Sequence, residues 1–557
     1  MTEMRRWLSA PKAGGEGCHS KCFLALAIGG FLTGLTLVLP VIGLLEWITL
    51  LPTMLFLLAF ASDGRMRMRS LYGYGVFFFL CYYLVVFHWF VNLYPLDFVP
   101  GMTKGGAISV VLFGWVGLSV FQAIQGGAIF VFCGLLFRTG LVKRYVWIKP
   151  FCVAALWAIY EWWQTIGWFG VPWGRLPLGQ SSYPVGLQTA SWFGSYFITF
   201  LLVAVNGLLA LMIVEHAYLR VVGISVAAVL LFQYGAGTLL FFSRRDEGEP
   251  MAAAALQGNI SSHEKWDMGT GVKTMEVYER LTAEAAERGA TLIVWPETAL
   301  PYTLVEGDYH WEFVSKLAAK YRVTILVGAF CESEDEEEYL EYNALFCFLP
   351  DGSASQTVYA KRHLVPFGEY VPMRPLIETL APSLSELVLS EADVLSGEGA
   401  ALMETEQGVI GGLICFDSIY EELSRDSVRE GAQILCLATN DSWFTDSAAL
   451  NMHNAQAQLR AIETGRYVVR SANTGISSVI APNGKILDSC EPLVEGMAEG
   501  QVFLQNSRTL YNDIGNLFVV LCGLFVCGVL IGDAICYVRG AYLRKNRKKN
   551  DDQTECR

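Results

Sequence analysis

Two kinds of hydrophobic pattern divide this chain. Before residue 243, and again over 514–538, apolar stretches recur at the length of about 20 residues that a hydrocarbon core requires. They predict eight spanning segments, over 22–39, 41–61, 71–94, 107–137, 145–164, 188–213, 220–242 and 514–538. The fourth is long enough to tilt, or to break at Gly126-Gly127. The first is read as a span and not as a signal peptide, because no small-residue cleavage site follows and another span starts almost at once. Between 247 and 512 the period changes. Short apolar runs at 252–256, 291–295, 323–329, 343–349, 409–415, 433–438, 468–472 and 477–481 read as strands, and amphipathic stretches at 271–288, 310–321, 419–430 and 453–466 read as helices. Their alternation predicts an α/β domain. The expected organisation is a tail (1–21), seven spans (22–242), the α/β domain (247–512), an eighth span (514–538) and a basic tail (539–557).

Basic residues fall on alternate loops. Arg5, Arg6, Lys12 and Lys21 precede the first span, and Arg65, Arg67 and Arg69 separate the second from the third. Arg138, Lys143, Arg144 and Lys149 separate the fourth from the fifth, and Arg539, Arg544, Lys545, Arg547, Lys548 and Lys549 follow the eighth. Of the opposite loops, Leu39-Pro40 has no basic residue and 95–106 has only Lys104. Lysine and arginine are retained on the cytoplasmic side, so both termini are expected there and the 247–512 domain is expected outside. With 53% hydrophobic and 17% charged residues, the chain is not an ordinary soluble enzyme. Its net charge of −13 owes much to one acidic run, Glu332 to Glu341, which reads as a solvated hairpin loop. Nothing in the charge pattern points to nucleic acid.

Fourteen cysteines show no CxxC pair and no metal-ligand spacing, so no metal is expected. Five lie in the α/β region: Cys331, Cys347, Cys415, Cys436 and Cys490. An oxidising compartment permits disulfides among four of them. The odd count leaves at least one thiol free, and the context nominates Cys415.

Three contexts carry candidate chemistry: Trp295-Pro296-Glu297-Thr298, Lys361-Arg362-His363-Leu364-Val365-Pro366-Phe367-Gly368-Glu369, and Ile414-Cys415-Phe416-Asp417. A carboxylate, an ammonium and a thiol are the parts needed to make a thiolate, stabilise an oxyanion and pass an acyl group through a thioester. Each also has a plain reading: a turn carboxylate, a solvated basic patch and a buried small hydrophobe. Placement favours chemistry. Glu297 and Cys415 end apolar runs, and strand carboxyl ends are where α/β sheets bind ligands. A helix beginning near Ser418 is expected to lower the Cys415 thiol pKa, and Gly411 and Gly412 to let another backbone approach. Asp417 is a candidate cap for the helix at 419–430. His363 offers an alternative base for a Cys–His hydrolase.

These segments resemble the Glu–Lys–Cys triad of the nitrilase, or carbon–nitrogen hydrolase, superfamily, and most closely its membrane-embedded branch, the apolipoprotein N-acyltransferases. Gln257-Gly258-Asn259-Ile260, the string through Phe367-Gly368-Glu369-Tyr370, Asn440-Asp441-Ser442-Trp443-Phe444 and Arg470-Ser471-Ala472-Asn473-Thr474-Gly475 are also similar to that branch. The resemblance covers nearly the whole chain and implies an αββα sandwich. It implies Glu297 as base, Cys415 as nucleophile, and Lys361 with the Phe416 amide at the oxyanion. Glu369 positions Lys361 on this reading, and Trp266 and Trp443 are expected at the substrate. Where the family has Cys-Tyr-Glu this chain has Cys415-Phe416-Asp417, and Thr445 replaces a glycine.

The expected function is acyl transfer from a membrane phospholipid to the N-terminal amine of a diacylglyceryl-cysteine on an apolipoprotein, at the bacterial inner membrane with the catalytic domain facing the periplasm and without a cofactor. A membrane-anchored amidase or nitrilase, and a catalytically silent lipid-binding member, are the rival readings. Two further features lie in the apolar half: the loop from Trp168 to Arg175, expected as an aromatic belt or a lipid guide, and Glu46, either functional within its span or snorkelling outward.

Overall fold

The computed structural model describes residues 16–64, 66–96, 102–167, 170–261, 265, 271–333, 340–380 and 394–555. Among the described residues, seven helices are long and apolar enough to cross a membrane. All seven fall on expected spans, and the residues of the remaining one, the fifth at 145–164, form a shorter 15-residue helix, Lys149–Trp163. The helix Lys104–Phe137 runs unbroken through Gly126-Gly127. Both glycines are buried and face the helix Met68–Val86, where a Cβ would strike Phe79 and Val76. They serve close packing and not a break. The second segment is the irregular one: a 3₁₀ turn at Pro40–Leu45, two short helices and a π turn at Leu57–Ala61. Pro40 and Pro52 each lack the amide that a continuous helix needs there.

The α/β region holds twelve strands: β1 (Pro250–Gln257), β2 (Leu292–Val294), β3 (Thr324–Glu332), β4 (Glu341–Phe348), β5 (Tyr359–Ala360), β6 (Met403–Glu404), β7 (Val409–Ile414), β8 (Ile434–Thr439), β9 (Val468–Ala472), β10 (Ser478–Ile480), β11 (Ile486–Ser489) and β12 (Gly496–Phe503). They form two six-stranded sheets, ordered β12-β1-β2-β3-β4-β5 and β11-β10-β9-β8-β7-β6. Each has a parallel centre, β1-β2-β3 and β7-β8-β9, flanked by antiparallel strands. The sheets pack face to face through Ala253, Ala255, Val294, Leu326, Ile410, Ile414, Ile434 and Val469. Helices Gly271–Glu287 and Tyr309–Tyr321 cover the outer face of the first sheet. Helices Glu421–Glu430 and Ala448–Thr464 cover the second and share one continuous core with the apolar helices. The expected αββα sandwich is present, and one of its outer helix layers is also the seat on the membrane region.

All eight expected strands form. β5, β6, β11 and β12 were not legible from periodicity. Gly496–Phe503 carries two glycines and Glu499, a weak strand signal, yet it pairs with β1 along its whole length. Cys347 and Cys436 lie buried as thiols between the sheets, and Cys490 is also a thiol, so the permitted disulfides do not form there. Most of the acidic run, 334–339, lies outside the described residues.

Candidate active site

Three local turns deliver the candidate residues to one buried place. After β2, Trp295 continues into the core, stacking on Tyr278 with centroids 4.9 Å apart, and Pro296 turns the chain. Glu297 follows, and Thr298 has φ +45°, a conformation rare for a β-branched residue. A Cβ at Gly328 of β3 would fall 2.4 Å from the Pro296 carbonyl oxygen. Only glycine lets β3 pass that close to the turn. Lys361 directly follows β5, and Cys415 directly follows β7 at φ +48°. The expected strand-end placement therefore holds for Glu297 and Cys415.

Glu297 is surrounded by donors. Its Oε1 accepts from Lys361 Nζ at 2.9 Å and Asn343 Nδ2 at 2.8 Å, and its Oε2 from the Asn440 amide at 2.9 Å. Burial alone raises this carboxyl's pKa, but the Lys361 ammonium and these hydrogen bonds outweigh it and hold the group below the ordinary carboxylate range. Lys361 Nζ also donates to Glu369 Oε1 at 2.9 Å, and Glu369 Oε2 accepts from the Val365 amide. Burial lowers the Lys361 pKa, yet Glu297 and Glu369 together raise it well above the usual lysine value. Asn343 bridges the two carboxylates, donating to both.

At Cys415 the expected lowered pKa is overturned. Burial first, and then the Glu297 carboxylate, push the thiol well above its usual value, against the pull of Lys361. No helix N-terminus offsets them: residues 415–419 form only a 3₁₀ turn, and the α-helix starts at Glu421, too late to face the sulfur. The raised thiol and the lowered carboxyl stand side by side, an arrangement between whose groups a proton can pass.

Asp417 does not cap the helix at 421–430. Its Oδ1 accepts from the Arg362 and His363 amides at 3.2 and 2.8 Å, and its Oδ2 from Tyr359 Oη at 2.9 Å and the Ile414 amide at 3.1 Å. This fully buried carboxylate ties the turn after Lys361 to the strand before Cys415. Gly412 makes room for the Tyr359 ring, and Gly411 for side chains of Ala432, Leu435 and Ser427; neither admits another backbone. Phe416 is half-buried against Tyr420.

The histidine beside the sulfur is not His363, whose ring stacks on Tyr420 at 3.8 Å with Glu422 nearby. It is His453, from the helix Ala448–Thr464. Its Nδ1 is 2.8 Å from Asp441 Oδ1, its Nε2 is 3.2 Å from the Cys415 carbonyl oxygen, and Asp441 Oδ2 accepts from Arg470 at 2.6 Å. Donor atoms of Cys415, Asp441 and His453 lie within 4.8 Å of one another, a set of the kind that holds zinc. Asp441 is already committed, however: Oδ1 to Thr439 and His453, and Oδ2 to the Arg470 guanidinium, a charge that opposes a cation.

The membrane region closes one side. Trp89 and Trp173 pack on Phe444 at 5.0 and 5.5 Å, and Trp173 also faces His453 at 5.6 Å. The described part of the loop expected as an aromatic belt is thus clamped between the apolar helices and the site. Within it, the Gly170 carbonyl accepts from Tyr420 Oη, and Arg175, wholly buried, pairs with Glu421 at 2.9 Å and reaches Gln456. Trp168, Phe169 and Trp266 lie outside the described residues. Glu46 does not snorkel; it is fully buried and accepts from Gln180 at 2.8 Å.

Residues 252–511 match the carbon-nitrogen hydrolase family, and residues 29–208 match the apolipoprotein N-acyltransferase N-terminal domain. Over 524 residues, 93% of this chain and 95% of its relative, the sequence is 30% identical to the apolipoprotein N-acyltransferase of Geobacter metallireducens. The chain belongs to the apolipoprotein N-acyltransferase family. The Gloeobacter violaceus apolipoprotein N-acyltransferase is 31% identical over 532 residues, covering 93% and 95% of the two chains. Among solved structures, Saccharomyces cerevisiae Nit3, a member of branch 10 of the nitrilase superfamily, aligns over 47% of this chain and 92% of its own at 20% identity, with a TM-score of 0.37.

Of the three departures from the apolipoprotein N-acyltransferase pattern, those at Asp417 and Thr445 have a structural reading. Asp417 carries four hydrogen bonds with one methylene fewer than glutamate, so the shorter side chain still joins the two turns. Thr445 sits at φ +45° and ψ −149°, backbone that glycine takes more readily, and its hydroxyl lies 3.3 Å from the Asn92 carbonyl oxygen. Sequence reasoning missed Asn343, Lys265 and the pairing of Asp441 with His453 and Arg470. Asn343 had a signal, as a polar side chain opening an apolar run. His453 had none, because its neighbours come from remote segments.

Proposed function

We propose that this multi-pass membrane protein, an N-acyltransferase by family, moves an acyl chain from a phospholipid to the N-terminal amine of a diacylated apolipoprotein through a Cys415 thioester. The observation that carries this reading is the meeting of Glu297, Lys361 and Cys415 in one buried site walled by aromatic side chains of the membrane region. A site built against the bilayer-spanning half suits a lipid ester, whereas a small soluble amide needs no such wall.

In the first half-reaction Glu297 takes the Sγ proton as the sulfur bonds to the ester carbonyl carbon. Lys361 and the Phe416 amide stabilise the oxyanion. That amide lies in the first residues of a 3₁₀ turn, where N–H groups precede any intrahelical acceptor. The ester C–O bond breaks, and lysophospholipid leaves with the proton that Glu297 returns. In the second half-reaction the amine bonds to the thioester carbon, Glu297 takes a proton from the nitrogen, and the C–S bond breaks, the departing sulfur taking that proton back from Glu297 to regenerate the thiol. Glu369 holds Lys361 and does not react. Trp443 and Trp266 belong at the substrate on this reading.

Full-length protein incubated with acyl-labelled phospholipid, with and without a diacylated lipopeptide, tests this. Label is expected to accumulate on the protein without acceptor and to move to the peptide with it. Release of free fatty acid alone makes the protein a hydrolase, and no reaction makes it a silent lipid binder.

The boundaries given above are part of the proposal: eight spans, with Lys149–Trp163 counted as the short fifth, both termini cytoplasmic, and the 247–512 domain periplasmic. The loop charge asymmetry supports it. Reporter fusions near residue 300 and at the C-terminus are expected to report opposite sides, and the same side for both rejects the eight-span arrangement.

A further inference from the structure

A second lysine stands at this site, and the mechanism above does not use it. We propose that Lys265 is a positioning residue for the Glu297 base, clamping the Glu297–Thr298 turn and supplying a second positive charge to the pocket of Glu297 and Cys415. The inference rests on the reading of Glu297 as the base.

The geometry begins at the Gln257-Gly258-Asn259-Ile260 segment. Asn473 grips it: the Asn259 amide donates to the Asn473 carbonyl at 2.7 Å, the Ile260 amide to Asn473 Oδ1 at 3.1 Å, and Asn473 Nδ2 to the Ile260 carbonyl at 2.7 Å. The same Nδ2 donates to Asn440 Oδ1, and the Asn440 amide donates to Glu297. The Lys265 amide donates to the Ser261 carbonyl, and the residue is 3% exposed. Lys265 Nζ donates to the Glu297 carbonyl at 3.0 Å and to Thr298 Oγ1 at 2.5 Å. It therefore grips the two residues whose backbone is strained at Thr298, while Gly328 closes on the same turn. Freed from this grip, the turn can relax and the carboxylate lose its aim at the thiol.

The charge matters as much as the grip. Glu297 and Cys415 face the Lys265 ammonium directly; Lys361 and Glu369 lie beyond Glu297, and Asp441 and His453 beyond Cys415. Asp441 is matched by Arg470. Among the described residues, the remaining carboxylates, Glu297 and Glu369, are matched by Lys361 and Lys265 only when Lys265 is protonated. Burial pushes its ammonium down to about 7, with Glu297 and Cys415 resisting. Above that pH the pocket carries an unmatched negative charge, which opposes formation of both thiolate and oxyanion. Acylation is therefore expected to slow as pH rises through neutrality.

Single-turnover acylation of the full-length protein by labelled phospholipid, followed between about pH 5.5 and 9 together with thermal melting, tests the proposal. Lys265→Met is expected to slow acylation at about pH 6 by roughly ten- to thirtyfold, the worth of one charge at partly buried separation, and to erase the alkaline limb. Lys265→Arg should recover much of that rate and carry the limb out of range, because guanidinium stays charged. Thr298→Val, which removes one acceptor but no charge, should slow the reaction and keep the limb. A wild-type rate and limb in Lys265→Met overturns the proposal. So does an equal loss at every pH in the Met and Arg variants with lowered melting temperatures, the signature of a merely structural lysine. Glu297→Gln in the same assay separates the two readings: if it still acylates, the base assignment fails, whereas if it is dead while Lys265 variants match wild type, only this inference fails.

Discussion

Cys415→Ser is expected to leave no acyl-protein on incubation with phospholipid, a loss on the order of 10⁴–10⁶ in rate. The sulfur already ionises with difficulty, since burial and the Glu297 carboxylate push its pKa up. A serine hydroxyl starts several units higher and is a poorer nucleophile at neutral pH. Glu297→Gln should be nearly as damaging. Among the described residues, its three hydrogen bonds all come from donors, Lys361, Asn343 and the Asn440 amide. An amide there loses the proton-accepting charge and turns an NH₂ toward a donor. Changing Cys331, Cys347, Cys436 or Cys490 should spare acylation, and His363→Ala should cost little, its ring being stacked on Tyr420. His453 provides the sharper control. If Glu297→Gln still forms a hydroxylamine-sensitive adduct while His453→Ala forms none, the base is His453 and the Glu–Lys–Cys assignment falls.

Lys361→Met should damage both chemistry and folding. Loss of a charged donor aimed at a developing oxyanion costs about 10²–10³ in rate. The same ammonium is the counter-ion of Glu297 and Glu369, each 2.9 Å away and itself only 1% exposed at the side chain. Removing one partner of a buried charge cluster leaves the others uncompensated, at about 3–5 kcal/mol of stability. A second change, Glu369→Gln, should return much of the melting temperature and none of the acylation. Thiol alkylation adds an independent readout: without the Lys361 charge the pH midpoint for Cys415 should rise, because a neighbouring cation favours the thiolate. An unchanged midpoint, or an acylation rate within a few-fold of wild type, excludes Lys361 as the cation facing the reacting sulfur.

Much of this protein is written locally. The length of an apolar run decides whether a segment can span a bilayer, because backbone groups in hydrocarbon must be satisfied within the helix. Alternation and turn residues marked eight strands and four helices of the sandwich, and Glu297 and Cys415 were legible because each closes an apolar run. Other features depend on partners remote in sequence, and there the tertiary structure alone decided. β12 is a strand because β1 offers it a full-length edge, despite its own weak composition. Asp417 reads as a helix cap until Tyr359 and the amides after Lys361 come within reach. The Cys415 pKa is set by burial and by a carboxylate more than a hundred positions away, not by the turn in which the cysteine sits. His453 and Lys265 carry no signal in their own neighbourhoods, since only the folded chain brings them to the sulfur and to the base. Hydrogen-bonding period and hydrophobic run length are properties of adjacent residues, whereas burial and charge pairing are properties of neighbours in space.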